Sequence, residues 1–326
     1  MSKNALAGEH GAASRALTAS RAAGRGASGA RPGRVVTAPG PTIGALVQEL
    51  AGALDATPAD EARREARDIV AALIDAPRLW AVTHADDPTD PELVARARAA
   101  VERRRRGMPF AYAVGRAAFR HLTLEVDERV LIPRPETELL VDLVLAATDG
   151  GAGLAIDVGT GSGAIAIALA SEGRFEHVVG TDVSSDALDV AAINARRMAS
   201  TVAGRLEFRQ GAYLAPVHGL SARAIVSNPP YISYAEAGSL PASVRGWEPA
   251  VALLAGDDGL AATMAIVDGS AAILEPGGVL ALEVDSRRAR ECAALVAADP
   301  RYSDVTVRPD LTGRDRFITA TRRTRG

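Results

Sequence analysis

The stretch Ala155-Ile156-Asp157-Val158-Gly159-Thr160-Gly161-Ser162-Gly163-Ala164 decides the fold of this chain. It is typical of an apolar strand, a glycine-rich turn and the start of a helix. Glycines allow the backbone to turn tightly and allow a ligand to approach the main-chain N–H groups at the start of the helix. We therefore predict a nucleoside-binding turn with the cofactor-binding residues Gly159, Thr160, Gly161, Ser162 and Gly163.

The second predicted nucleoside-binding feature is Asp182. It is the last residue of the next predicted strand and lies 19 residues after Gly163. An acid in that place can accept hydrogen bonds from both ribose hydroxyls. The glycine spacing is Gly-x-Gly-x-Gly, whereas dinucleotide sites have Gly-x-Gly-x-x-Gly, and Asp157 stands just ahead of the turn. Because negative charge disfavours phosphates and favours a cationic ligand, the pattern favours S-adenosylmethionine over a nicotinamide dinucleotide.

Strands and helices alternate beyond residue 150, which predicts an α/β fold with a mostly parallel sheet and helices on both faces. The predicted strands are 154–158, 177–182, 205–209, 222–227, 279–284, 304–308 and 316–320. The predicted helices are 163–172, 185–199, 259–274 and 286–298. The last two strands follow each other without a helix, so they predict an antiparallel hairpin at the edge of the sheet.

The chain before this sheet divides by composition into three parts. Residues 1–40 are rich in Ala, Gly, Ser and Arg without apolar periodicity, which predicts a disordered tail; a transit peptide is the alternative. Helical spacing predicts a small all-helical domain over 41–112. Residues 113–134 are expected to form a β-hairpin linker, with alternation from Arg120 and a polar break before Val130, and 135–326 the nucleoside-binding domain.

Two charged segments each allow two interpretations. Arg103–Arg106 could contact RNA or an acidic partner, but four consecutive residues span every face of a helix and arginines complement a helix C-terminus, which favours a structural role. Arg134–Glu138 is either a cap with ion pairs or the wall of a cleft, and the sequence does not choose between them.

Composition restricts the classes of function. The net charge of −3 divides into +5 over residues 1–40 and −8 over residues 41–326, the opposite sign from that of a duplex-binding enzyme. Lys3 is the only lysine and Cys292 the only cysteine, and the five histidines are scattered, so we expect no Schiff-base lysine, no disulfide and no metal site. No apolar run approaches the roughly 20 residues of a membrane helix and no signal peptide is evident, so we expect a cytoplasmic protein without membrane contact.

The strand 222–227 ends in Asn228-Pro229-Pro230-Tyr231. Proline fixes its own φ and biases the preceding residue toward extended backbone, so Asn228 is expected to be held rigidly. Two prolines after a strand most often mark a simple turn. Beside a nucleoside site, however, the Asn228 amide, free backbone carbonyls and the Tyr231 ring could hold a small planar polar group.

With these motifs the chain resembles the HemK-like release factor glutamine methyltransferases, a group of class I S-adenosylmethionine methyltransferases. The resemblance extends from about Thr42 onward. It rests on Pro109–Tyr112, Leu131–Glu138, Asp157–Gly163, Asp182, Val226–Ile232, Glu248-Pro249, Asp258–Leu260, Pro276–Gly278 and Asp310–Arg316. The Arg-Pro-Glu-Thr-Glu segment together with Asn-Pro-Pro-Tyr is the most specific combination.

The resemblance implies a Rossmann-like methyltransferase domain and transfer of a methyl group from S-adenosylmethionine to the Gln side-chain amide of the Gly-Gly-Gln motif in peptide chain release factors. It implies Asn228, Pro229 and Tyr231 as catalytic residues, with Pro230 completing the substrate-binding set. It also implies that Asn228 contacts the methionine moiety and that Tyr213 lines the adenine. We expect a monomer that acts on release factors, without a nucleic-acid substrate or a metal.

Three rival functions remain open. A glutamine methyltransferase acting on a ribosomal protein would use identical chemistry. Asn-Pro-Pro-Tyr also serves enzymes that methylate an exocyclic nitrogen of adenine or cytosine, but the acidic folded part disfavours that function. A non-enzymatic interaction protein is disfavoured because both core motifs are intact.

The chain departs from the family's pattern at several positions around the site. Ala212 stands where an acid is frequent, and Ala255-Gly256 stands where a Gly-Gly pair is frequent. Glu283-Val284-Asp285 replaces Glu-Ile-Gly, and a Gln that is common just beyond is missing from Ser286–Arg288. We expect these departures to change the affinity for adenine and the geometry of the loops around the site more than the type of reaction.

Overall fold

A computed structural model describes residues 40–54, 58–202 and 204–324. The predicted disordered tail, residues 1–40, lies outside these ranges except for its last residue. Within the ranges, the helical part and the sheet belong to one compact unit.

The first described part of the chain is helical because apolar residues recur at helical spacing between clear caps. Its helices are α1 (Ile43–Ala53), α2 (Ala59–Leu73), α3 (Trp80–Thr83), α4 (Pro91–Arg105) and α5 (Phe110–Val114). Thr42 caps α1 by accepting from Ala45 N at 3.2 Å, and Asp90 caps α4 by accepting from Leu93 N at 2.7 Å. Leu46, Ala66 and Ala97 are fully buried where α1, α2 and α4 meet.

A β-hairpin follows the helices, as predicted, but its position differs from the prediction. Strand β1 (Arg116–Phe119) pairs antiparallel with β2 (Leu122–Glu125), so the turn is at Arg120 and not before Val130. The predicted polar break is a different turn, in which Asp127 accepts from Arg129 N at 3.1 Å and Val130 N donates to the Asp127 carbonyl. The chain beyond it runs without a strand partner to the next helix, so the expected second strand at Val130 is wrong.

The remaining strands form a seven-stranded sheet, and the α/β fold class is confirmed. The strands are β3 (Leu154–Val158), β4 (His177–Asp182), β5 (Leu206–Gln210), β6 (Ala222–Ser227), β7 (Leu274–Glu283), β8 (Tyr302–Pro309) and β9 (Asp315–Arg322). Their order is β5-β4-β3-β6-β7-β9-β8. Strand β9 runs opposite to the other six strands, and its antiparallel pairing with β8 confirms the predicted edge hairpin.

Helices cover both faces of the sheet. The helices after the hairpin are α6 (Pro135–Ala147), α7 (Ala164–Glu172), α8 (Ser185–Arg197), α9 (Ala199–Val202), α10 (Ala242–Arg245), α11 (Ala250–Leu253), α12 (Ala261–Ile273) and α13 (Ala289–Ala298). Leu140 and Ile167 bring α6 and α7 into the core on one face. Ile266 and Cys292 bring α12 and α13 into the core on the other face.

The strand order places a ligand site. From β3 the chain builds β4 and β5 on one side and then returns to add β6 on the other side of β3. In open α/β sheets, ligands bind at the carboxyl ends of the strands where the order reverses in this way. The glycine turn after β3 and Asn228 after β6 both lie at this point.

Candidate active site

A cavity of about 360 Å³ opens at the carboxyl ends of β3, β4 and β6. Its volume lies within the range of small-molecule sites. The sequence-predicted residues in its wall are Gly159, Gly161, Asp182, Tyr213, Asn228, Pro229 and Pro230. The structure therefore brings the glycine turn, the acid at the end of β4 and the Asn-Pro-Pro segment to one cavity.

The backbone of the glycine turn faces this cavity. Gly159 has φ 73°, a left-handed conformation that favours glycine, and open space surrounds the position of a Cβ there. Gly161 N donates to Asp182 Oδ2 at 2.9 Å, and Ser184 N donates to Asp182 Oδ1 at 3.0 Å. Each carboxylate oxygen keeps acceptor capacity beyond its one backbone bond, so Asp182 can also hold hydroxyl groups of a ligand.

Thr160, Ser162 and Gly163 do not lie in the cavity wall, although the sequence groups them with Gly159 and Gly161 as cofactor-binding residues. Thr160 is buried and its hydroxyl donates to Asp157 Oδ2 at 2.7 Å. The Thr160 side chain therefore supports the turn from behind.

Asp157 was expected to present its negative charge to the ligand, but it does not line the cavity. The side chain is fully buried, absent from the cavity wall, and its Oδ2 also accepts from Ala166 N at 3.1 Å. Burial raises the pKa of Asp157 to about 7, against the lowering effect of the bonds from Thr160 and Ala166. Asp182, which does line the cavity, supplies the negative charge that a cationic nucleoside would meet there.

Asn194 on α8 supports the turn, and the sequence analysis did not select it. The side chain is buried; its Nδ2 donates to the carbonyls of Ser162 and Glu125, both at 2.9 Å, and its Oδ1 accepts from Glu125 N at 2.7 Å. One amide thus ties the glycine turn to β2. A signal was present, because Asn194 continues the apolar positions Ala187 and Val190 on the buried face of the helix.

Tyr213 stands at the rim of the cavity, with 42% of its surface exposed. It has φ 48°, which is uncommon for a residue with a side chain, and its carbonyl accepts from Thr181 Oγ1 at 2.9 Å. The bond holds the backbone of Tyr213 to β4. Turn amides, an acid and an aromatic rim are the groups that a nucleoside requires, so these residues fit S-adenosylmethionine.

The other end of the cavity is formed by Asn228 and the two prolines. Ser227 Oγ donates to the Val158 carbonyl at 2.6 Å, which clamps the end of β6 to β3. Asn228 Nδ2 donates to Thr137 Oγ1 on α6 at 3.1 Å, and Thr137 Oγ1 donates to Glu283 Oε2 at 2.7 Å. Thr137 and Glu283 are both buried, so a polar chain connects the motif to α6 and β7.

Glu283 is the buried end of this series of hydrogen bonds. Burial raises the pKa of Glu283 to about 7, while the bond from Thr137 and the charges of Arg316 and Arg134 oppose the rise. The carboxyl group therefore titrates near neutral pH.

The Arg134–Glu138 segment makes an ion pair, and none of its residues lies in the cavity wall. The Arg134 guanidinium lies 2.6 Å from Glu248 Oε1, in an ion pair whose Glu248 side chain is almost fully buried. Glu138 accepts from Arg120 N of the hairpin turn at 3.0 Å, while Thr137 contacts the cavity motif through Asn228. The segment therefore supports the cavity from behind through one ion pair and these hydrogen bonds.

Tyr231 lies beside the cavity wall and not within it. It is half-buried, and burial together with the Glu283 carboxylate raises its pKa to about 12, so the phenol is neutral at ordinary pH. The next residue, Ile232, forms a parallel bridge with Leu254 and holds the following loop against the short helix α11.

The departure at Asp285 has a structural explanation. Asp285 accepts from Arg287 N at 2.8 Å and pairs with Arg287 and Arg288, and both arginines also pair with Glu236. These charges hold the loop after Tyr231 to the turn before α13. The turn explains why α13 begins at Ala289, later than the predicted 286. Ala212 and Ala255 both lie in the cavity wall.

The arginine run 103–106 has structural partners. Arg103 donates to the Ala113 carbonyl at 3.1 Å, Arg104 pairs with Glu65, and Arg105 and Arg106 pair with Glu102. Within the described ranges, no cluster of three His, Cys, Asp or Glu residues could hold a metal ion, and no helix is long and apolar enough to cross a membrane.

Comparison with known proteins assigns the chain to a family. Residues 45–115 match the PrmC N-terminal domain, and residues 135–240 match the methyltransferase small domain. The chain is 40% identical over 248 residues to the release factor glutamine methyltransferase of Moorella thermoacetica, covering 76% of this chain and 86% of that protein. It is 42% identical over 263 residues to that of Cereibacter sphaeroides, covering 80% and 91%.

The chain belongs to the release factor glutamine methyltransferase family. The two matched domains leave residues 116–134 between them, which are the hairpin and the turn at Asp127. Among solved structures, the hMettl16 catalytic domain in complex with MAT2A 3′UTR hairpin 6 aligns with a TM-score of 0.50 at 14% identity, covering 73% of this chain and 83% of that one. That likeness shows the shared fold.

Proposed function

We propose that this protein transfers a methyl group from S-adenosylmethionine to the side-chain amide nitrogen of the Gln in the Gly-Gly-Gln motif of peptide chain release factors. The observation that carries the proposal is the position of Asn228 and Pro229 in the wall of a nucleoside-sized cavity, in a chain of this family. We expect the protein to act as a monomer in the cytoplasm and to take no nucleic-acid substrate, since residues 41–326 carry a net charge of −8.

The chemical problem is the poor nucleophilicity of an amide nitrogen, whose lone pair is delocalised into the carbonyl group. Asn228 Oδ1 and the Pro229 carbonyl would accept hydrogen bonds from the two hydrogens of the substrate amide. Both bonds strengthen as positive charge develops on the nitrogen, and they orient its lone pair toward the methyl donor. When bound, S-adenosylmethionine supplies an electrophilic methyl group on its sulfonium.

The atoms and charges of the transfer balance. A bond forms between the amide nitrogen and the methyl carbon while the bond from that carbon to sulfur breaks, and one amide proton is released to water. Asn228 and Pro229 hold this proton without removing it, because an amide and a peptide carbonyl are weak bases. Tyr231, neutral through its raised pKa of about 12, would pack on the substrate amide plane.

The cofactor-binding residues in this proposal are those that line the cavity. Asp182 would accept the ribose hydroxyls, the Gly159 and Gly161 backbone would face the methionine part, and Tyr213 would cover the adenine. Asn228, in the wall of the same cavity, would stand at the junction between cofactor and substrate.

The proposal is tested with labelled S-adenosylmethionine and a panel of substrates. The panel contains a release factor, the same release factor with the Gln of its Gly-Gly-Gln motif changed to Glu, ribosomal proteins and duplex DNA. We expect label only on the unmodified release factor, located at that Gln by peptide mass spectrometry. Label on a ribosomal protein alone, or on DNA alone, would overturn the proposal.

A further inference from the structure

A chain of hydrogen bonds lies behind the cavity face of Asn228. The Nδ2 group of Asn228 donates to Thr137 Oγ1 at 3.1 Å, and the Thr137 hydroxyl donates to Glu283 Oε2 at 2.7 Å. Thr137 is 5% exposed and Glu283 is 2% exposed, so water competes little with either bond. These contacts join residues from α6, β7 and the segment after β6.

The direction of this chain determines which end of the Asn228 amide faces the cavity. A threonine hydroxyl has one hydrogen, and here that hydrogen is given to the Glu283 carboxylate. Only lone pairs remain on the Thr137 oxygen, so Asn228 must approach it with its NH₂ group. The carbonyl oxygen of Asn228 is then the end that points away from Thr137.

We propose that Thr137 and Glu283 are positioning residues that select the acceptor orientation of Asn228, so that its Oδ1 and not its Nδ2 meets the amide hydrogens of the substrate. The inference rests on the proposed function, since it concerns an acceptor for an amide N–H. In the flipped orientation, Asn228 would present two donors to a substrate amide that also offers donors. Such a site would repel the nucleophile that it must hold.

The selection depends on the protonation of Glu283. As a carboxylate, Glu283 accepts from Thr137; as a carboxylic acid, it can donate to Thr137 instead, and the Thr137 hydrogen is then free to turn toward Asn228 Oδ1. The chain of bonds reverses and the flipped amide becomes stable. Methyl transfer therefore needs the ionised carboxylate and is lost as pH falls.

The pH range follows from the groups around Glu283. Burial raises its pKa to about 7; Thr137 on α6, Arg134 at the start of α6 and Arg316 on β9 favour the charged form, whereas Glu136 disfavours it. Arg316 also pairs with Asp310, with its Nε atom 3.4 Å from Asp310 Oδ2. The neutral Tyr231 faces the Glu283 carboxylate. Asn228 should change its orientation near neutral pH.

A nuclear magnetic resonance experiment on the free protein tests the orientation directly. The sequence contains only three asparagines, Asn4, Asn194 and Asn228, so selective ¹⁵N labelling of asparagine gives three side-chain amide signals. The Asn228→Ala variant identifies the Asn228 signal. We expect this signal to shift between pH 5.5 and 8.5 with a midpoint near 7, and to be constant with pH in Glu283→Gln. A pH-independent signal in the wild type, or an unchanged titration in Glu283→Gln, would overturn the proposal.

Kinetics give the second test. Thr137→Val keeps the shape and removes the hydroxyl, so kcat should fall by about 10- to 100-fold with S-adenosylmethionine affinity kept. Thr137→Ser should restore most of the activity. Thr148→Val is the matched control, because Thr148 is a buried threonine at the other end of α6 whose hydroxyl bonds only to backbone carbonyls. A folded Thr137→Val enzyme with wild-type kcat, or equal loss in Thr137→Ser, contradicts the positioning role.

The two proposals fail in different ways. If the wild-type protein labels no release factor but labels another protein amide, the proposed function fails while the Thr137 and Glu283 variants remain testable with that substrate. If release factor is methylated and the Asn228 signal does not respond to Glu283, the positioning role alone fails.

Discussion

The side-chain nitrogen of Asn228 lies 3.1 Å from the hydroxyl oxygen of Thr137, a residue 91 positions earlier in the chain. Asn228 directly follows β6 and Thr137 stands in the first turn of α6. The Asn-Pro-Pro-Tyr motif is therefore supported by the Arg-Pro-Glu-Thr-Glu motif. Two segments that are separate in the sequence form one site.

Replacing Asn228 by alanine should remove methyl transfer while binding of S-adenosylmethionine is largely kept. The substrate amide would lose one of its two acceptors, and loss of one such polar partner costs about 10²- to 10³-fold in kcat. Single-turnover methylation and calorimetric cofactor binding measure the two effects. Ser303→Ala, on the edge strand β8, is the control. Turnover at the wild-type rate in Asn228→Ala would remove Asn228 from the mechanism.

Replacing Asp182 by asparagine should weaken cofactor binding. Asp182 accepts from Gly161 N and Ser184 N, and a charge-assisted bond to a ribose hydroxyl is worth about 1.5–3 kcal/mol, or roughly 10- to 150-fold in Kd. Asp186→Asn removes the same charge from an exposed position on α8 and serves as the control. Calorimetry that finds equal affinity in both variants would refute the assignment.

Replacing Asn194 by alanine should destabilise the protein and loosen the cofactor site together. The change leaves the Ser162 carbonyl and both backbone groups of Glu125 without their partner, and buried groups left unpaired cost about 1–3 kcal/mol each. Denaturant unfolding and cofactor calorimetry should both report a loss. The exposed Asp189→Asn on the same helix is the control. Unchanged unfolding in Asn194→Ala would mean that its hydrogen bonds contribute nothing net.

Asp157 should make the protein less stable as pH rises from about 4 to 7. Its pKa is about 7 in the folded protein and near 3.8 when exposed, so between these values the folded state binds more protons than the unfolded state. The contribution of Asp157 to the free energy of unfolding is therefore largest below pH 4. It declines up to pH 7, by at most about 1.4 kcal/mol per pH unit.

The comparison with Asp157→Asn isolates this effect, because an asparagine oxygen can still accept from Thr160 and Ala166 and does not titrate. We expect the free energy of unfolding of the wild type, relative to the variant, to decrease across that range. Urea unfolding at pH 4.5, 5.5, 6.5 and 7.5 measures it. A difference that is constant with pH would show that Asp157 is not protonated in the folded state near neutrality.

Much of the fold could be predicted because its signals are local. Apolar runs and turn residues gave the alternation of strands and helices, and β3, β4 and β6 have the predicted bounds. The linker hairpin was misplaced because the turn at Asp127 and the hairpin turn at Arg120 have similar polar composition. Local composition marks a turn but does not say which strands it joins.

The sequence by itself determined the glycine turn, the acid at the end of β4 and the rigid Asn-Pro-Pro-Tyr segment, since each depends on the backbone preferences of neighbouring residues. Only the tertiary structure decided the direction in which their side chains point. It turned Asp157 and Thr160 away from the cavity, placed Asn194 under the turn and brought Thr137 and Glu283 behind Asn228. The physical reason is that a buried polar group takes its partner from whichever element packs against it, however distant that element is along the chain.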